Sequence, residues 1–155
     1  MVLSVLGRVV AFVGLCLVLA ACAKTPAETV SGAATPGSPQ EFMQSVGDRV
    51  LFPVDSSSIT PSAAGVLDRQ AAWLARYGRY QVTMEGHADE RGTREYNIAL
   101  SARRAAAAKS YLVSRGVPAN RVRTLSFGKE RPVSVCDAEQ CWQQNRRAVT
   151  VLAGG

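Results

Sequence analysis

EGHADERGTREYNIALSARRA, residues 85–105, sets a strand end, a charged turn and the start of a basic helix in immediate succession. Just upstream, Val82 and Met84 alternate with Gln81, Thr83 and Glu85 at the two-residue period of a half-buried strand. Gly86 then releases the backbone into a turn dense in Asp89, Glu90, Arg91 and Arg94. Downstream, Leu100, Ala107, Ala108, Tyr111 and Leu112 recur at helical spacing, an apolar stripe that must face a core. Arg104 falls within that stripe. A guanidinium beside an apolar face is costly to leave unpaired, so it is expected to find an acid, and Asp89 on the preceding turn is the nearest candidate. The pair would edge a pocket at the end of the strand.

The surrounding chain supplies a compact α/β frame for this turn. The pattern predicts a strand over Val50–Val54, a helix over Pro61–Tyr77 with Thr60 as its N-cap, a strand over Tyr80–Gly86 and a helix over Arg94–Arg115 stopped by Gly116. A third strand follows over Val122–Phe127, then a short helical turn over Ala138–Asn145 and a closing strand over Arg147–Leu152. Strand–helix–strand units favour parallel crossovers with helices packed on a sheet face, so the class is an α/β sandwich. No internal repeat or coiled-coil heptad interrupts it.

The first 45 residues carry no such pattern. Residues 1–21 read as a secretory signal, with Arg8 as the positive region, an apolar run from Val9 to Leu19 and small residues before a cysteine. The run is short for a membrane span. Leu19-Ala20-Ala21-Cys22 looks like a bacterial lipobox, which makes Cys22 the acylated first residue of the mature chain; the alternative is an ordinary signal peptide or an inner-membrane anchor. At about 0.8 kcal/mol per buried CH₂, two or three palmitate-type chains anchor a protein for good. Residues 22–45, containing TPAETVSGAATPGSP, lack the apolar residues that offset ordering entropy and are expected to be a flexible tether. Such a coil spans roughly 25–30 Å at rest and about 80 Å when stretched. The folded domain is then expected over 46–155.

The chain of 155 residues carries a formal charge of +6, and removal of Arg8 with the leader takes it to +5. Nucleic acid is an implausible partner for an exported protein, whereas cell-wall peptide carboxylates are an available anionic one. Of the cysteines, Cys16 leaves with the signal and Cys22 takes lipid, so Cys136 and Cys141 remain in an oxidising compartment and are expected to pair. A metal site there is the weaker alternative, since no second histidine or CxxC pair completes a ligand set. No metal or cofactor is expected. A catalytic triad forced from His87, Asp89 and Ser101 lacks a GxSxG elbow, and His87 reads better as a structural histidine closing the strand.

GHADERGTREYNIAL (86–100), followed in order by SFGKERP (126–132) and NRRAV (145–149), closely resembles the OmpA-like family of peptidoglycan-binding domains, and within it the peptidoglycan-associated (Pal-type) lipoproteins. The resemblance spans roughly Val50–Leu152. It implies a βαβαββ sandwich with a mixed sheet and helices on one face. It also implies that Asp89 and Arg104 read the ammonium and carboxylate of stem-peptide diaminopimelate, supported by Phe52, Asp55, Ala88, Arg91, Thr93, Asn97, Asn145 and Arg146. Pal-type chains usually carry an aspartate and an aromatic where this one has Pro53 and Val54. Ala23, not aspartate, follows the cysteine, which for this family implies delivery to the outer membrane with the domain facing the periplasm. The implied setting is the Tol-Pal system of cell division and envelope integrity, with TolB as protein partner and TolA and other outer-membrane lipoproteins beyond it. Alternatives are an OmpA-like lipoprotein outside that system and, from a different class, a cell-wall-metabolising enzyme.

Overall fold

The computed structural model describes residues 34–154. The leader, Cys22 and residues 22–33 of the expected tether lie outside them. Four strands, β1 (Arg49–Leu51), β2 (Gln81–Gly86), β3 (Val122–Ser126) and β4 (Arg147–Ala153), form one sheet in the order β1-β4-β2-β3. β4 runs antiparallel to both β1 and β2, while β2 and β3 are parallel, so the sheet is mixed. The last strand is thus inserted between the first two, and residues from both ends of the domain meet at its centre.

Two long helices cover one face. α2 (Pro61–Arg76) starts where Thr60 accepts from the Ala63 N–H, with proline in its first turn. α3 (Arg94–Ser114) starts where Thr93 accepts from the Tyr96 N–H, and Gly116, at φ 95°, follows its end. Leu67, Leu74, Val82, Met84, Leu112 and Val122 form the core between helices and sheet. Gln70 crosses that core with its polar atoms satisfied, donating to Gly47 O at 2.7 Å and accepting from Thr150 Oγ1 at 2.7 Å.

Two expectations are corrected. Residues 34–45 do not all belong to the tether: α1 (Pro39–Glu41), capped by Ser38, continues into a π-helical turn over Phe42–Val46. Phe42 is buried edge-on against Trp73, with ring centroids 4.9 Å apart, and Glu41 accepts from Trp73 Nε1 at 2.7 Å. One aromatic packed into the core offsets the ordering of a stretch whose composition otherwise suggests disorder. β1 also begins and ends earlier than Val50–Val54, because Pro53 has no N–H for a ladder and Asp55 turns the chain at φ 52°. A fourth helix, α4 (Glu139–Asn145), precedes β4.

Gly86 fixes the geometry of the site. A Cβ there would fall 1.9 Å from Ser101 O, so β2 can pass this close to α3 only as glycine. That contact sets the turn after β2 against the first half of α3.

Candidate functional site at the end of strand β2

A cleft of about 310 Å³ opens there, lined by Val54, Asp55, Ala88, Asp89, Arg91, Gly92, Tyr96, Asn97, Leu100, Arg104 and Arg146. Three chain segments build it: the turn after β1, the turn after β2 with the face of α3, and the junction of α4 with β4.

Arg104 lies fully buried against the cleft and does not bond Asp89, contrary to the expected pair. Its Nε donates to Ser56 O at 2.8 Å, Nη1 to His87 O at 3.0 Å and Nη2 to Pro53 O at 3.1 Å, with Phe52 beneath it at 5.4 Å. Backbone carbonyls do the pairing that a carboxylate was expected to do. Burial lowers its pKa from 12.5 to about 10, helped by Arg146 and opposed by Asp89 and Asp55, so it remains a cation at neutral pH.

Asp89 is buried and answered by other arginines. Its Oδ2 accepts from Arg91 Nη2 at 2.6 Å and from Arg146 Nη1 at 3.2 Å, while Oδ1 accepts from Arg91 Nε at 3.3 Å and the Arg91 N–H at 3.2 Å. Burial raises the pKa of this carboxyl, but the bonds from Arg91 and Arg146 outweigh it and hold the group below its ordinary 3.8. Arg146 also donates to Phe52 O at 3.1 Å and pairs with Glu139. Arg91 stacks on Trp142, its guanidinium carbon 4.2 Å from the ring centre, and Trp142 Nε1 donates to Glu90.

Of the expected site residues, Asp55, Ala88, Asp89, Arg91, Asn97, Arg104 and Arg146 are brought to the cleft. Asp55 accepts from the Tyr96 hydroxyl, and Asn97 Nδ2 donates to Arg91 O at 2.8 Å. Phe52, Thr93 and Asn145 do not line it. Phe52 is core beneath Arg104, and Thr93 caps α3. Asn145 Oδ1 accepts from the N–H groups of Val133 and Ser134, which pins the loop before α4. A disulfide ties that loop to α4, joining Cys136 and Cys141 with their Cα atoms 5.7 Å apart. Trp142 and Glu139 were missed by sequence reasoning, and the only signal was their place on the helical turn just before NRRAV. Ser101 is buried and its hydroxyl is spent on Asn97 O and the Gly128 N–H.

The chain matches the OmpA family over residues 51–147. It is 68% identical over 124 residues to the peptidoglycan-associated lipoprotein of Rhizobium meliloti, a match that takes in 80% of this chain and 70% of that one. To the protein of the same name from Mesorhizobium japonicum it is 58% identical over 146 residues, 89% of this chain and 87% of the other. Among solved structures, the peptidoglycan-associated lipoprotein of Burkholderia pseudomallei superposes with a TM-score of 0.70 at 35% identity, over 75% of this chain and 100% of that one. With a mixed sheet under two long helices and a charged cleft at the end of β2, the chain belongs to the OmpA family and, within it, to the peptidoglycan-associated lipoproteins, which are binding proteins and not enzymes.

Proposed function

We propose that the cleft binds the zwitterionic side-chain centre of meso-diaminopimelate in the peptidoglycan stem peptide. On this reading the chain, acylated at Cys22, tethers the outer membrane to the cell wall within the Tol-Pal system. The observation that carries the binding step is the buried guanidinium of Arg104 beside the carboxylate of Asp89 in one cleft. Three carbonyls hold Arg104 in place and use three of its N–H groups, leaving two for a ligand carboxylate. Asp89 offers the complementary negative charge for the ligand's ammonium.

Charge-assisted hydrogen bonds contribute about 1.5–3 kcal/mol each, so a few of them, less the association entropy, give moderate affinity per site. Many tethered copies facing a polymeric wall raise the effective concentration without strengthening any contact. Pulldown on isolated sacculi tests the binding: the wild-type chain should co-sediment, and its absence from the pellet would remove the reading. The anchor has its own test. Cys22→Ala should leave an unacylated protein outside the membrane fraction, and a wild-type intact mass without acyl chains contradicts lipidation. Co-purification of TolB separates a Tol-Pal role from an OmpA-like lipoprotein working outside that system.

A further inference from the structure

Asp89 has no free acceptor position. A carboxylate offers about four lone-pair sites, and here they take the Arg91 N–H, Arg91 Nε, Arg91 Nη2 and Arg146 Nη1. A ligand ammonium can therefore reach Asp89 only by replacing a cation already bound to it. The two cations differ in freedom. The Arg146 side chain is 5% exposed and is also bonded to Phe52 O and Glu139, whereas the Arg91 side chain is 40% exposed. Arg91 also has a second acid within reach: its Nη2 lies 4.0 Å from Glu139 Oε2, and its guanidinium rests on the Trp142 face.

We propose that Arg91 is an intramolecular competitor that sets the affinity and the selectivity of the cleft. Its guanidinium holds the place of the ligand's ammonium on Asp89 and transfers to Glu139 when that ammonium enters. The inference rests on the cleft being the diaminopimelate site. The exchange conserves charge, one cation for another, so Asp89 keeps two cationic partners throughout. A ligand without the cation cannot complete the exchange: it either leaves Arg91 in place or leaves the buried carboxylate with Arg146 as its one remaining cation. Selection for an ammonium thus comes from the cost of evicting Arg91 without a substitute.

The test is calorimetric titration of the full chain in detergent with a meso-diaminopimelate tripeptide and with the same peptide acetylated on its side-chain amine. Arg91→Ala should bind the free-ammonium peptide about two- to five-fold more tightly than wild type, the factor that an exposed ion pair converts to. Arg91→Lys, which keeps a cation but loses the two-nitrogen fork on Asp89, should fall between wild type and Arg91→Ala, and the acetylated peptide should gain nothing from Arg91→Ala. Unchanged or weaker binding by a folded Arg91→Ala protein overturns the proposal, as does an equal gain for both peptides, which would mean simple widening of the cleft. Asp89→Ala separates this failure from failure of the site. If Asp89→Ala abolishes binding while Arg91→Ala fails to tighten it, the competitor is wrong and the site stands; if Asp89→Ala binds like wild type, both fall.

Discussion

Arg146 Nη1 lies 3.2 Å from Asp89 Oδ2 while Nε of the same guanidinium donates to Phe52 O at 3.1 Å, so one buried side chain ties the turn after β2 to the end of β1. It sits where α4 hands over to β4, and β4 is the strand inserted between β1 and β2. Arg146→Met keeps the stem and loses every one of these bonds. A destabilisation of about 2 kcal/mol in urea unfolding is expected, the worth of hydrogen bonds to a buried charge, together with weakened sacculus binding. Unfolding at the wild-type midpoint would show that the three segments are held by other means.

His87 makes stability depend on pH in a defined window. It is 2% exposed and stacked on Phe127, and both ring nitrogens lack a hydrogen-bond partner, with Glu85 Oε2 3.8 Å from Nε2. Burial, then Arg147 and Arg131, lower its pKa from 6.5 to about 4. As pH falls below 6.5 the unfolded chain takes up the proton and the folded one does not, so stability is full above that value and declines down to about 4. The loss should reach about 3 kcal/mol. His87→Phe should flatten the profile between those limits. The low pKa values of Asp89 and Glu139 place their contribution at more acidic pH. A wild-type melting temperature constant from pH 7 to 4 would rule out the neutral, buried histidine.

The Cys136–Cys141 bridge closes a small ring between α4 and a loop that Asn145 already pins through Val133 and Ser134 and that Arg147 holds through Arg131 O at 3.1 Å. Replacing both cysteines by serine should therefore cost something like 2 kcal/mol, with binding weakened at most. Titration of unreduced protein that finds two reactive thiols excludes the bridge.

Local signals in the sequence carried the helices and the site turn, while long-range ones were silent. Thr60 caps α2 through a side chain that reaches only three residues ahead, and the apolar period of α3 needs no tertiary context, so both helices were legible. The insertion of β4 between β1 and β2 is a pairing over the whole domain and leaves no local mark. Phe42 was invisible for the same reason, an isolated aromatic whose partner Trp73 lies on another element. Asp89 and Arg104 were both identified, yet their partners were not. The carbonyls of Pro53 and Ser56 reach Arg104 because of the path of a turn that Asp55 bends into the left-handed region.

The turn from Ala88 to Glu95 brings Asp89 and Arg91 to the cleft beside Arg104 and Arg146, and within the proposed Tol-Pal role we take the same surface to be the one that meets TolB. On that proposal the two partners exclude one another. Excess TolB should release the chain from sacculi, and a ternary complex at saturation of both partners would contradict mutual exclusion.

The site itself is tested by removing each half of its charge pair. Asp89→Ala and Arg104→Ala should each abolish sacculus binding, since a zwitterion needs both an acceptor for its ammonium and a donor fork for its carboxylate. Arg104→Lys should also bind poorly. An ammonium cannot meet Ser56 O, His87 O and Pro53 O from three directions and still present two parallel bonds to a ligand. Arg103→Ala, on the exposed side of α3, should bind as wild type. Stability must be separated from binding, because Arg104→Ala removes the donors to Ser56 O, His87 O and Pro53 O, and Asp89→Ala takes from the buried Arg146 one of its two carboxylate partners. Each variant should therefore first show a native circular-dichroism spectrum and a cooperative melt. If folded Asp89→Ala and Arg104→Ala proteins then hold diaminopimelate-containing sacculi with wild-type affinity, the ligand sits elsewhere than this cleft.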